Sequence, residues 1–156
     1  MKRTHEIFFI AIPLVSLVVC ADRLSKLFFL NTLSLGESIP VIRNIFHFTL
    51  VHNTGIAFGL FKDQGFIFIG VSLASVLFFS WMLFVHPQSP LPGRLSVVSF
   101  SLIISGAIGN LIDRLQYGFV IDFIDLRIWP VFNIADSAIT IGACVFILTC
   151  IPSSAK

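Results

Sequence analysis

LSVVSFSLIISGAIGNLIDRL, residues 95–115, runs from Leu95 to Ile112 without a charge and then meets Asp113 and Arg114. A helix needs roughly 20 mostly apolar residues to cross the hydrocarbon of a bilayer, so this stretch reads as a membrane span ending on a polar group. Three more such stretches surround it: about 65–85, with no charge; about 132–151, whose only charge is Asp136; and about 7–30, charge-free through Ala21 and then carrying Asp22, Arg23 and Lys26. The expected fold is an all-α membrane protein, one polytopic domain over residues 1–156 with four transmembrane helices.

Composition agrees with lipid as the solvent. Hydrophobic residues are 56% of the chain, charged residues 12%, and the mean hydropathy is +0.98. Soluble domains carry about 25% charged residues, enough polar surface to face water. A net charge of +2, with no basic run interleaved with aromatics, gives no footing for nucleic acid. Cys20, Cys144 and Cys150 sit in apolar stretches, odd in number and without CxxC or Cys/His spacing, so neither a disulfide framework nor zinc is expected. No metal and no cofactor is implied.

Basic residues near the span ends orient a membrane protein. Lys2, Arg3, Arg94 and Lys156 lie on the side of the termini; Arg43 and Lys62, with Arg23, Lys26, Arg114 and Arg127 near the boundary, lie on the other. The count alone is not decisive, and both termini are placed in the cytoplasm with seven of the eight acids on the opposite side. Leu17-Val18-Val19-Cys20 has the outline of a cleavable secretion signal, but Val19 stands where a small residue belongs and apolar character continues to Leu30. It is read as part of a span.

The linkers differ. Residues 86–93 hold Pro87, Pro90, Pro92 and Gly93, a tight turn. Residues 31–64 are longer. The partial alternation from Ile45 to Val51 predicts one or two strands on the membrane surface within a β region of about 33–58, followed by a turn at Asn53-Thr54-Gly55. Gly36, Gly55, Gly59 and Gly65 give that segment places to bend, as a movable cover would need.

Intramembrane charges cost about 2.5 to 3.5 kcal/mol each, so they persist where paired or used. Here they converge. Asp22, Ser25 and Lys26 end the first span, Asn110, Asp113 and Arg114 the third, and Asn133 and Asp136 begin the fourth, with Asp122 and Asp125 between. Alternating helix direction brings all of them to one face of the membrane. Asp22 and Lys26 are spaced i,i+4 as an ion pair. Asn133 follows Pro130 as an N-cap, which puts Asp136 in the first turn, where the helix dipole favours an anion. Asp122 lies in the apolar run FVIDFI, where desolvation raises a carboxyl pKa. Two aspartates in contrasting environments suit a two-carboxylate hydrolase that needs no metal and no covalent nucleophile. No GxSxG, HExxH or phosphate loop offers another chemistry. Asp113 with Arg114 reads as a structural ion pair, Asp125 with Arg127 as a solvated surface pair, His52 as a structural hydrogen bonder, and Gly55 and Gly109 as turn or close-packing glycines.

Four blocks then resemble the lipoprotein signal peptidases (signal peptidase II): DRLSK at 22–26, NTGIAF at 53–58, GAIGNLIDR at 106–114 and VIDFIDLRIWPVFNIADSAI at 120–139. The resemblance implies an aspartyl dyad at Asp122 and Asp136, with Asp22, Lys26, Asn53, Gly55, Asn110, Asp113, Arg114 and Asn133 in substrate-binding or supporting roles. It implies removal of signal peptides from diacylglyceryl-modified prolipoproteins, before the lipidated cysteine, by a monomer in contact with membrane lipid. The implied location is the bacterial inner (cytoplasmic) membrane, with the site at the extracytoplasmic face. The stretch between the two aspartates is shorter than in some members of that family. Two other classes use similar residues: a small proton or cation carrier, which would hold its charges near the midplane, and a membrane assembly protein using polar residues as helix glue.

Overall fold

The computed structural model describes residues 7–55, 65–84 and 93–150. Expectations that fall on the termini, on Gly59, Lys62 and the rest of 56–64, and on the proline-rich turn before Gly93 lie outside the described residues. A short π-helical turn, Ile7–Ala11, leads directly into helix α1 (Ile12–Thr32), with Pro13, which has no N–H to donate, just after the junction. Strands β1 (Ser38–Ile42) and β2 (Phe46–Asn53) follow, then α2 (Gly65–Phe84), α3 (Gly93–Tyr117), β3 (Val120–Asp125) and α4 (Ile134–Cys150).

Two of the four helices, α2 and α3, are long and apolar enough to cross a membrane. Helix α1 is 21 residues long but carries three charges, and α4 is apolar over the 17 residues described, up to Cys150, where the described residues end. Helix α3 is the hub, with 67% of its apolar window buried against 11% for α2, whose Phe66, Leu77 and Phe78 face outward. Outward apolar side chains are what a helix in contact with lipid presents. Ala11, Leu83, Val97, Phe100 and Ile104 form the bundle core. The three cysteines are free and exposed, on the outer faces of α1 and α4.

Small residues bring α3 and α4 together. A Cβ on Gly109 would come within 2.6 Å of Asp22 Oδ2 and 3.2 Å of Ala135 Cβ, and one on Gly142 within 2.8 Å of the Ser99 carbonyl oxygen. Ser99 Oγ instead donates to the Gly142 carbonyl at 2.7 Å, a bond open only to a close pair of backbones.

The β element is larger than the one or two strands expected. Three antiparallel strands run in the order β1-β2-β3. Asn44, at φ 63°, turns the β1–β2 hairpin in the left-handed region that asparagine tolerates. The third strand is the segment that carries Asp122. In its register Val51 faces Asp122 and Asn53 faces Val120. One sheet face therefore presents Asn53 and Asp122, while the other presents Leu50 and Ile121 to a cluster with Leu33 and Phe29. Gly118, at φ 80°, releases the chain from α3 into β3.

Candidate active site

Asp122 and Asp136 belong to one hydrogen-bonded set. Asp122, 1% exposed, accepts from Asn53 Nδ2 on Oδ2 (2.8 Å) and from Asn133 Nδ2 on Oδ1 (2.7 Å). Asp136 accepts from Asn110 Nδ2 on Oδ1 (2.7 Å) and from the Asn133 backbone N–H on Oδ2 (3.3 Å). Asn133 joins the two carboxylates, and its Nδ2 also lies 3.1 Å from Asn110 Oδ1.

The local sequence explains the geometry. Asn133 is the N-cap of α4: its Oδ1 accepts the Asp136 N–H at 2.8 Å while Asp136 reaches back to the Asn133 N–H, a reciprocal cap with aspartate at the third position. Gly55 donates its N–H to Asn53 Oδ1 at 3.1 Å, so the amide end of Asn53 is left to face Asp122. Burial, and then the charge of Asp136, push the Asp122 pKa from 3.8 to about 7. That direction is the one its apolar setting predicts.

A cleft of about 390 Å³ opens on this set, lined by Asn53, Gly55, Phe68, Val71, Arg114, residues 129–132 and Asp136. Asp122 is not among the lining residues and sits beneath Asn53. A second, mostly apolar cleft of about 450 Å³ shares Trp129, Phe132 and Asp136 with the first. Asp136 stands where the two meet.

The remaining sequence candidates are close by. Asp22, Lys26 and Asp113 are fully buried, with Lys26 Nζ 2.8 Å from a carboxylate oxygen of each acid. The charges lie within α1, which continues to Thr32, rather than at its end. The expected Asp113–Arg114 pair is not formed. Neighbouring helical residues point about 100° apart, so Asp113 turns inward to Arg23 and Lys26. Arg114 lies over the Phe68 ring, 5.4 Å from its centre, in the cleft wall. The Asp125–Arg127 pair forms at 3.0 Å, but only Arg127 is solvated; Asp125 is 5% exposed and accepts from Thr49 Oγ1 at 2.7 Å. His52 stacks on Phe119 at 3.9 Å on the sheet face away from Asp122, and its Nε2 makes no hydrogen bond among the described residues. Stacking, not a hydrogen bond at that nitrogen, holds the ring. Arg23, Thr49 and Phe68 were not legible as site residues, because each acts through a partner distant in sequence, and Trp129, which lines both clefts, carried no signal of its own.

The family described as signal peptidase (SPase) II matches residues 14–152. A lipoprotein signal peptidase of Moorella thermoacetica is 46% identical over 85% of this chain and 86% of its own length. That of Halothermothrix orenii is 42% identical over 86% and 90%. A solved bacterial membrane enzyme superposes with a TM-score of 0.82 at 30% identity, covering 92% of this chain and 94% of that one, and another with 0.81 at 32%, covering 88% and 85%.

Proposed function

We propose, for a chain that belongs to the signal peptidase II family and is therefore a protease removing signal peptides from prolipoproteins, that Asp122 and Asp136 are its catalytic dyad. The carrying observation is that a strand and a helix N-terminus, from opposite ends of a loop, deliver their aspartates into one amide-linked set at the edge of a cleft. The family leaves the carrier and assembly readings without support.

The chemistry follows from the two environments. Asp122, with its pKa near 7, holds the proton the pair shares. Asp136, on the cleft wall, takes a proton from water as the water oxygen bonds to the scissile carbonyl carbon, and Asp122 gives its proton to the carbonyl oxygen. In the collapse Asp136 returns its proton to the leaving amine nitrogen, the C–N bond breaks, and Asp122 recovers the hydroxyl proton. Asn53 covers Asp122 at rest, so its amide yields that carboxylate as substrate enters. Arg114 and the cleft aromatics hold the extended peptide. Asn53, Gly55, Asn110 and Asn133 orient the dyad, while Asp22, Lys26 and Asp113 support it from beneath.

The substrate in this reading is a diacylglyceryl-modified prolipoprotein cut just before its lipidated cysteine. It reaches a monomeric enzyme sideways through membrane lipid. All four helices span the inner membrane of a bacterium as a single domain, with both termini cytoplasmic and the sheet with the dyad at the extracytoplasmic face. Helix α4, at about 1.5 Å per residue, covers most of the hydrocarbon, and its polar N-terminal turn marks the interface. The test is incubation of the purified protein with one precursor in two forms, with and without the diacylglyceryl group. Cleavage of the modified form alone, one residue before the modified cysteine, is expected. Equal cleavage of the unmodified form would remove lipid recognition from the account.

A further inference from the structure

The two backbone amides just upstream of the dyad are tied together by one buried ammonium. Ile121 N–H, next to Asp122, donates to Asp113 Oδ2 at 3.1 Å, and Ala135 N–H, next to Asp136, donates to Asp22 Oδ1 at 2.9 Å. Lys26 Nζ lies 2.8 Å from Asp113 Oδ2 and 2.8 Å from Asp22 Oδ2. Arg23 closes the group from outside, binding Asp113 Oδ1 and reaching Gln116 Oε1 at 2.8 Å. Two cations face two anions, so the cluster is neutral and can be buried without a net charge.

Lys26 makes one more contact, 3.1 Å to Asn110 Oδ1. An ammonium has only protons to give. It therefore decides which end of the Asn110 amide faces Asp136, and that end is the donor, at 2.7 Å. The same Oδ1 receives Asn133 Nδ2, which in turn donates to Asp122. None of the four charged residues lines the cleft, so none has a part in bond making.

We propose that Lys26, with Asp22, Asp113 and Arg23, forms a yoke of positioning residues that sets the separation of Asp122 and Asp136 and the polarity of the amide relay between them. The inference rests on the dyad reading above. β3 and α4 are also joined by the backbone pairing of Ile124 with Phe132 and by the amides themselves, but these contacts hold the two elements to each other and not to α1 and α3. Sharing a proton across two carboxyls depends steeply on their spacing. The yoke supplies a rigid frame on α1 and α3 to which both elements are pinned one residue from the reacting group.

The test is the full-length protein carrying Lys26→Met together with Asp22→Asn. The pair stays charge-balanced, and the amide oxygen introduced at 22 still accepts from Ala135, so both anchors remain while the tie is cut. A kcat loss on the order of 100-fold, the cost of about 1 Å of misplacement, with KM unchanged, is expected. Lys26→Arg alone, which keeps a donor, should recover part of it. A folded double variant with unchanged kcat, or a loss confined to KM, overturns the yoke. Should the double variant fail to accumulate, Arg23→Gln decides, since that side chain is 18% exposed. A kcat loss at constant KM supports the yoke, and an unchanged kcat overturns it. Failure of the dyad reading looks different: normal cleavage by Asp122→Asn or Asp136→Asn removes it whatever the Lys26 variants do.

Discussion

Asp122 takes N–H donors on both carboxylate oxygens, yet burial and the nearby Asp136 raise its pKa from 3.8 to about 7. The unfolded chain releases this proton near 3.8, so between the two values the folded state binds more protons than the unfolded one. Stability from this group is present below 3.8 and is lost as pH rises through about 7. Asp122→Asn has nothing to titrate there. Thermal midpoints in detergent should show the variant gaining on the wild type across that window, with a constant gap above it; a gap independent of pH contradicts the raised pKa. For the wild type, kcat should fall as pH rises through about 7, because the mechanism needs the shared proton. Asn133 does two jobs that substitutions can separate. Asn133→Ala loses the cap, about 1 kcal/mol, and leaves buried partners unmatched, about 1–3 kcal/mol more. Asn133→Asp keeps a capping oxygen but turns its second carboxylate oxygen on Asp122 Oδ1 and Asn110 Oδ1, so chemical denaturation should find it the less stable of the two while both are poorly active. The apolar setting of Asp122 and the capping role of Asn133 were legible from their neighbours. The pairing of Asp113 with Arg23 was not, since it joins helices 90 positions apart.

The helices were readable because length and hydropathy measure what lipid demands, and the observed α2 and α3 match the apolar stretches at 65–85 and 95–115. The hairpin β1–β2 left a partial period-two trace. Strand β3 left none: Val120, Ile121, Asp122 and Phe123 are all buried, so both faces look alike and the alternation that marks a half-buried strand is missing. That is why Asp122 could be named a candidate while its mounting on a sheet went unseen. At the α3–α4 contact the glycines make a direct prediction. Gly109→Ala places a methyl against Asp22 and Ala135, which should cost about 1–3 kcal/mol and shift the α4 N-terminus that carries Asp136. Gly70→Ala on α2 meets nothing within 4 Å and should change stability by no more than about 1 kcal/mol. Unfolding of the two variants side by side checks this, and equal losses would mean that the close approach is not what limits the packing.

Across the whole molecule, the end of β2, the loop before α4 and the facing ends of α2, α3 and α4 line a cleft at one end of an apolar bundle, which is where an interfacial scissile bond would lie. Each oxygen of the two dyad carboxylates already faces an N–H donor, a setting that repels a cation, and among the described residues no group of three His, Cys, Asp or Glu could hold one. Cleavage should therefore persist in strong chelators; loss restored by a particular divalent ion would require a different mechanism. The central claim is that the dyad performs the hydrolysis, and its most direct test is single-turnover cleavage of a diacylglyceryl-modified precursor by wild type, Asp122→Asn and Asp136→Asn, each verified as folded. The account predicts release of the signal peptide by the wild type and a drop of at least about 100-fold for either variant; wild-type cleavage by either folded variant would contradict it.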